Sequence, residues 1–511
     1  MMHAAALAGF SAVLGGAIAL VARQRPGVLE RTRTFAFAAA AGVVAFHLLP
    51  EALPSQGVAA LLWMAAGFAL PWLLEWLART VGPGLLQGRG LSGLRVSAEV
   101  GFAALVFHSV AEGLALVAAL AQPRASLDLE IAIVAHHAPL TAAVVLPFLD
   151  LSGARAAGTR AALVAAAGVI GALLSLVLPG FEDAAFLKTA SAVTAGALLH
   201  VVADEIRAQR FGSRLERALD LGACAAGLLV AGLGALVHQR QDTAPLFELL
   251  RAFCGLSLAA SPAILAGCAV GALLASRTRF FRWDAFVLAL VLFGPVGATA
   301  WAVLTIALSL PLARSLRADT PARPIGLEMV AAIRERAPAL LTLVIAAAVL
   351  EASAGAFPAS FVPAAALLLV VALSARLDEA GAVVVAAVLV RKGLDPGIAI
   401  ALLACGPLTR AGMVRALAGR GRAAAAGVIA LECVGAIAAG RLLSASGALA
   451  AMPAVANRAL RGVGEAVFAQ VASSPLSTAA AVVLVALAVA TLWSEGVRGW
   501  FAPLRHGPRA I

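Results

Sequence analysis

Three stretches of the sequence place a histidine four residues before a carboxylate. Four residues are about one turn of an α-helix, so the two side chains of a pair project from the same face. Imidazole and carboxylate groups together suit zinc and other first-row divalent ions. The spacing therefore predicts helices that each offer two ligands to a cation. The pairs are His47 with Glu51, His108 with Glu112, and His200 with Asp204 and the adjacent Glu205.

A further segment carries two adjacent histidines and then Pro139. Proline removes the helical hydrogen bond to the carbonyl group of Ala135 and opens the helix locally. A short loop joins this segment to the one that carries His108, so ligands from both segments can meet. We predict a main metal site formed by His108, Glu112, His136 and His137.

Other polar groups are predicted to serve the path of the cation or a secondary site. A carboxylate at the centre of a bilayer costs about 2.5–3.5 kcal/mol on insertion scales, so it needs a partner there. Glu112 lies in the middle of its apolar segment and is therefore expected to have such a partner. The predicted path or secondary-site residues are His47, Glu51, Ser109, His200, Asp204 and Glu205.

The composition is that of an integral membrane protein. Of the 511 residues, 62% are hydrophobic and 13% are charged, and the mean hydropathy is +0.98. At about 20 apolar residues per span, this predicts an all-α, polytopic chain with almost no water-soluble domain. The net charge of +11 comes from arginines in short connections, as in cytoplasmic loops, which argues against nucleic acid as a partner. The five cysteines form no CxxC pair, which argues against a disulfide scaffold.

Eight apolar segments are predicted to span the membrane in the first half. Arginines collect in the connections after the first, third, fifth and seventh segments, and the positive-inside rule then places both ends of this half outside the cytoplasm. The N-terminus is thus predicted to be extracytoplasmic. Abundant Ala, Leu, Arg and Gly with no Tyr favour a bacterial source and hence the inner membrane. The predicted spans are 4–22, 35–53, 58–78, 98–121, 129–149, 161–179, 186–206 and 218–238.

A polar stretch at 238–245 predicts a boundary between domains 1–240 and 246–511. The second domain shows a weak internal repeat. Two of its apolar runs, 284–313 with Gly294-Pro295 inside it and 378–391, predict re-entrant segments, which are typical of transport sites. Its cysteines are interpreted as small buried hydrophobic residues, with soft-metal ligation as the alternative for Cys268, Cys405 and Cys433.

Residues 1–240 resemble the ZIP family of divalent metal transporters. The family pattern on span four is matched by His108, Ser109, Glu112 and Gly113, and the pattern on span five by His136 and Pro139. The resemblance implies an eight-helix bundle that moves zinc or a similar divalent cation as substrate, without a cofactor. Leu140 stands where the family carries a ligand that helps bridge two metals, so we expect a single metal site.

The second domain is similar, more loosely, to a repeat-built permease family that includes organoarsenical exporters. The similarity rests on the stretch 391–397 and on Gly406-Pro407. It implies a second helical, permease-like bundle and does not identify a cargo.

The leading hypothesis is a carrier of divalent cations, not an enzyme. Its expected partners are the metal ion and membrane lipid, and a homodimer is left open. One alternative is a ZIP-like half that senses metal and regulates the permease half. Another is an intramembrane metalloenzyme, against which the sequence offers no HExxH motif and no added general base. The identity of the metal and the direction of transport stay open.

Overall fold

The computed structural model describes an all-helical chain, and the predicted all-α class is confirmed for that part of the sequence, in which no strand occurs. The backbone contacts divide the chain into two compact units. Unit 1 comprises Met1–Leu246 and Glu495–Gly499, and unit 2 comprises Phe247–Ser494 and Trp500–Ile511. The described residues are 2–22, 25–45, 58–81, 93–120, 127–175, 177, 185–205, 213–238, 244–274, 282–313, 325–352, 378–405, 422–464, 471 and 474–506.

Seven helix ranges make up most of the described part of unit 1. The long fifth helix is interrupted at Gly153, where φ is 81° and ψ is 175°, a conformation that glycine adopts without strain. The ranges are α1 (Met2–Ala22), α2 (Pro26–Val43), α3 (Val58–Val81), α4 (Gly93–Leu120), α5 (Leu127–Leu174), α6 (Ala185–Glu205) and α7 (Arg214–His238).

The described part of unit 2 holds longer helices and several short ones. Gly294 interrupts α9 with φ 76° and ψ 177°, at the Gly-Pro step that the sequence marks as a break, while a re-entrant path there stays a prediction. The ranges are α8 (Ala244–Leu274), α9 (Trp283–Ala313), α10 (Ile325–Ala352), α11 (Glu379–Arg391), α12 (Pro396–Ala404), α13 (Arg422–Ala445), α14 (Met452–Ala459), a 3-10 turn (Arg461–Gly464) and α15 (Pro475–His506).

Four helices of the described part are long and apolar enough to cross a membrane. They contain the spans His137–Leu174, Glu248–Leu273, Trp283–Ala307 and Pro475–Gly496. The last of these has only 11% of its residues buried inside the protein, and exposed valines line it. Water does not favour such an apolar surface, whereas lipid tails do. The helices therefore indicate a membrane protein, and the predicted eight-span bundle stays a prediction.

The second helix differs from the span predicted at 35–53. The helix begins at Pro26 and ends at Val43, and residues 46–53 lie outside the described residues. Proline is favoured in the first helical turn because the N–H group that it lacks would have no helical partner there. Hydropathy alone assigned Arg33 to a loop, but within the helix it pairs with Glu30 at 3.2 Å and with Asp150 at 2.5 Å. These ion pairs let the helix extend beyond its apolar stretch.

The helices of unit 1 make close contact at small residues. A Cβ atom added at Gly171 of α5 would collide with the carbonyl oxygen of Val110 on α4, and one at Gly113 would collide with that of Gly168. Gly15 of α1 lies in the same way against the carbonyl oxygen of Ala138 on α5. Close backbone approach at small residues is the usual packing of membrane helices, which lack a hydrophobic drive to associate. These contacts set the register of α1, α4 and α5.

We predict that Gly171→Ala destabilises unit 1. Alanine is ordinarily better than glycine in a helix by about 0.8–1 kcal/mol, but here its Cβ meets backbone that cannot move aside. The expected loss in the free energy of unfolding is about 1–3 kcal/mol. Thermal unfolding in detergent, followed by circular dichroism, measures it. Gly222→Ala on α7 is the matched control, because no atom lies within 4 Å of its added Cβ. Equal behaviour of the two variants would contradict the prediction.

Candidate functional site

His137 is a buried residue of α5 that joins three helices through hydrogen bonds. Its Nδ1 lies 2.6 Å from the hydroxyl oxygen of Ser11 on α1, and its Nε2 lies 2.9 Å from the hydroxyl oxygen of Ser109 on α4. All three side chains are buried. The Gly15 contact with Ala138 brings Ser11 within reach, since Ser11 precedes Gly15 by one helical turn. Both ring nitrogens of His137 thus have hydroxyl partners.

The hydroxyl group of Ser109 determines which ring nitrogen of His137 carries the proton. Its hydrogen atom is donated to the carbonyl oxygen of Leu105, one turn earlier, at 2.8 Å. The oxygen of Ser109 is then the acceptor for an N–H at Nε2 of His137. In the neutral ring, Nδ1 is left as an acceptor, and Ser11 donates to it. The hydrogen-bond network therefore assigns the Nε2–H tautomer to a neutral His137.

His108 is the second predicted ligand that the structure places at this crossing. Its ring is buried on α4, and its centroid lies 6.3 Å from that of His137, with an angle of 57° between the rings. Two of the four predicted main-site residues are thus neighbours. Backbone positions 112, one turn after His108, and 136, next to His137, belong to α4 and α5, but the side chains of Glu112 and His136 lie outside the described residues.

The bonds of His137 limit what it offers to a cation. Zinc binds histidine through an unprotonated ring nitrogen at about 2.0–2.1 Å. A cation on His137 would have to replace either Ser11 or Ser109 at one ring nitrogen. Among the side chains that the structure describes, no three His, Cys, Asp or Glu groups come together. Completion of a site at this crossing depends on Glu112 and His136.

The remaining predicted residues fall in other places. His200 of α6 is buried against α3, where Nδ1 lies 2.7 Å from the carbonyl oxygen of Phe68 and the two rings meet edge to face. A carbonyl oxygen only accepts, so Nδ1 of His200 carries a proton. Position 204 and position 205 lie at the end of α6, with the side chains of Asp204 and Glu205 outside the described residues. His47 and Glu51 also lie outside them.

Unit 2 contains a buried ionic network that the sequence did not predict. Arg282 contacts both carboxylate oxygens of Asp284, at 2.9 and 2.7 Å, and also Asp378 at 2.8 Å. Arg336 of α10 reaches Asp284 at 3.2 Å. Asp378 additionally accepts from the backbone N–H of Gly381 and so caps the N-terminus of α11. The only sequence signal was the presence of these charges beside two apolar runs with predicted breaks.

The electrostatics of Arg282 keep the network charged. Burial alone lowers the pKa of a guanidinium group, because the charged form loses water. The carboxylates of Asp378 and Asp284 outweigh burial and raise the pKa of Arg282 above its ordinary value. Arg282 therefore stays cationic and holds the beginnings of α9 and α11 together. Buried charges beside apolar helices are costly, and their presence is a reason to expect a functional role.

Comparisons with models of protein families, with curated proteins and with solved structures find no match for this chain.

We predict that Ser11→Ala and His137→Leu are energetically coupled. Removal of the Ser11 hydroxyl leaves a buried ring nitrogen without its donor and lowers the free energy of unfolding by about 1–3 kcal/mol. Once His137 is leucine, the same serine substitution should cost much less, with a coupling of about 0.5–3 kcal/mol. A double-mutant cycle in detergent measures the coupling. Ser152→Ala, at an exposed site on α5, is the control and should change stability by less than about 0.5 kcal/mol. Additive effects of Ser11→Ala and His137→Leu would contradict the assignment.

We predict that Asp378→Asn and Asp378→Ala destabilise unit 2 by different amounts. Asparagine still accepts from Gly381 but loses the charge that Arg282 contacts, with an expected cost of about 1.5–3 kcal/mol. Alanine also removes the helix cap, which adds about 1 kcal/mol. Glu248→Gln breaks an exposed pair with Arg251 and should cost at most about 1 kcal/mol. Denaturant unfolding of all three variants checks the order, and an equal loss in each would overturn it.

Proposed function

We propose that unit 1 carries a divalent cation, zinc foremost, across the membrane through a single site at the crossing of α4 and α5. The observation that carries the proposal is the buried neighbourhood of His108 and His137, with their ring centroids 6.3 Å apart. Position 112 lies one turn after His108 and position 136 directly precedes His137. The four residues of the predicted main site thus belong to two adjoining helices.

The residues would divide the work. His108, Glu112 and His136 are the proposed ligands, which supply two imidazoles and one carboxylate, a mixture that suits zinc. His137 orients the site through its two serine partners and would ligate only after giving one of them up. A ligand set of three protein groups leaves a coordination position for water or for the next group along the path. A ligand set with such an open position favours release of the cation as well as its binding.

The likeness of residues 1–240 to ZIP transporters supports the same function. The pattern His108, Ser109, Glu112 and Gly113 stands on α4, and Gly113 is one of the positions at which α4 meets the backbone of α5. In this proposal the motif has two parts, namely ligands that hold the cation and a glycine that lets the helices approach. His200, with Asp204 and Glu205, would serve an end of the path, as would His47 with Glu51. Both ends of this unit are proposed to lie outside the cytoplasm of a bacterial inner membrane.

We expect zinc flux into liposomes to depend on His108 and Glu112. The purified full chain is reconstituted with a zinc-sensitive dye inside, and flux is compared for the wild type, His108→Ala and Glu112→Ala. Loss of an outer partner of a metal ligand costs roughly 10–100-fold, and loss of a ligand should cost at least as much. His136→Ala should weaken zinc binding more than His137→Ala, because both nitrogens of His137 are already engaged.

Two further measurements make the flux experiment decisive. Ser152→Ala, on the exposed side of α5, should retain wild-type flux and controls for reconstitution. Zinc binding is measured on the same samples by equilibrium dialysis. Zinc binding without flux in the wild type would contradict a carrier and favour a metal-sensing unit. Full flux in His108→Ala and Glu112→Ala would remove the proposed site.

A further inference from the structure

Two helices of unit 2 run antiparallel in close backbone contact. Gly397 of α12 and Gly440 of α13 lie so close that a Cβ atom on either would collide with the carbonyl oxygen of the other. Ser444 strengthens this contact, since its hydroxyl oxygen lies 3.1 Å from the backbone nitrogen of Gly397 and also hydrogen-bonds the carboxylate of Asp395. The register of α12 against α13 is therefore set at this end.

The same register brings two cysteines together at the other end. Cys405 follows Gly397 by eight residues, a rise of about 12 Å, and Cys433 precedes Gly440 by seven residues, a rise of about 10.5 Å. In an antiparallel pair these displacements point in the same direction and nearly match. The thiols of Cys405 and Cys433 accordingly lie beside each other, within range of a direct interaction. Both residues are buried, at 2% and 4% exposure.

The surroundings of the thiols select a particular class of ion. Zinc in structural sites takes four ligands, whereas the described side chains around this pair form no group of three or more His, Cys, Asp and Glu residues that could hold a metal ion. Soft monovalent d10 ions such as Cu(I) and Ag(I) prefer thiolate sulfur and are satisfied by two of them in a line. Glu432, next to Cys433 and also buried, places a carboxyl group near both thiols.

We propose that Cys405 and Cys433 form a binding site for one soft monovalent cation of the Cu(I) or Ag(I) class. One cation bonds to two sulfur atoms, and the two thiol protons are released, so that no electron is transferred and no oxidant is needed. The site lies in unit 2 and is independent of the histidine and carboxylate site of unit 1. The proposed site gives the second half of the chain a ligand, which its sequence alone does not identify.

The test uses the reduced full-length protein in detergent under anaerobic conditions. Cu(I) is added in the presence of a competing Cu(I) chelator, and the bound metal is counted by mass spectrometry of the desalted protein. The wild type should retain one Cu(I) per chain. Cys405→Ser and Cys433→Ser should each lower the Cu(I) affinity at least tenfold, because one sulfur cannot hold the ion alone. Cys268→Ser, which changes another buried cysteine of unit 2, should retain the ion.

Stability and site controls keep the outcome interpretable. Cu(I) should raise the unfolding temperature of the wild type and of Cys268→Ser, but not that of Cys405→Ser or Cys433→Ser. The metal-free unfolding temperatures show whether those variants are folded. His108→Ala should still bind Cu(I), which separates this site from the one proposed in unit 1. Retention of Cu(I) by both thiol variants, its loss from Cys268→Ser to the same degree, or its absence from the wild type would overturn the proposal.

Discussion

Close backbone contact between helices is the constraint from which the polar geometry of this protein follows. At Gly15, Gly113 and Gly171 in unit 1, and at Gly397 and Gly440 in unit 2, no side chain separates one helix from the carbonyl groups of the next. Contacts this close fix axial register to within a fraction of a turn, because a small slide would drive side chains into backbone. Polar residues a few positions away are then delivered to their partners. The hydroxyl groups that reach His137 and the thiols that meet in unit 2 both depend on this register.

Several buried polar side chains are held by partners outside their own helix. Serine hydroxyls serve His137, a backbone carbonyl serves His200, and two arginines serve Asp284. Lipid offers no hydrogen bonds, so an interior polar group must find its partner within the protein. Two carboxylates also lie at helix beginnings, where Asp378 and Asp395 act as caps. One carboxylate can thus satisfy backbone N–H groups and a neighbouring side chain together.

Local signals in the sequence predicted the all-α class and the positions of several helices. The predicted span 58–78 corresponds to α3 at Val58–Val81, because the apolar run begins with the helix and ends three residues before it. Hydropathy misplaced the start of α2, where Arg33 lies within the helix and pairs with Glu30 and Asp150. It also predicted separate spans at 129–149 and 161–179, and the two helical parts of α5 meet at the non-helical residue Gly153, between those spans. Hydropathy assigns a charged residue to a loop when its ion-pair partner is not known.

The candidate site shows the same limit. The spacing of His108 and Glu112 is a local feature and could be read directly, as could the adjacent pair at 136 and 137. The partner of His137 could not be read, because Ser11 lies 126 residues away and nothing in its own surroundings marks it. The meeting of Cys405 and Cys433 likewise depends on a helix crossing. Local spacing can identify the residue types of a site, whereas the tautomer and the freedom of each ligand are set by tertiary contacts.

His137 also determines how unit 1 can deform. A slide of α1 along α5 stretches the bond to Ser11 and leaves the bond to Ser109 intact, while a separation of α4 from α5 does the reverse. After either motion, one ring nitrogen keeps its hydrogen bond. Both motions together leave two buried polar groups without hydrogen bonds, at a cost of about 1–3 kcal/mol each. The imidazole ring is therefore common to both helix contacts, and moving α1 and α4 away from it at the same time costs more than moving either helix alone.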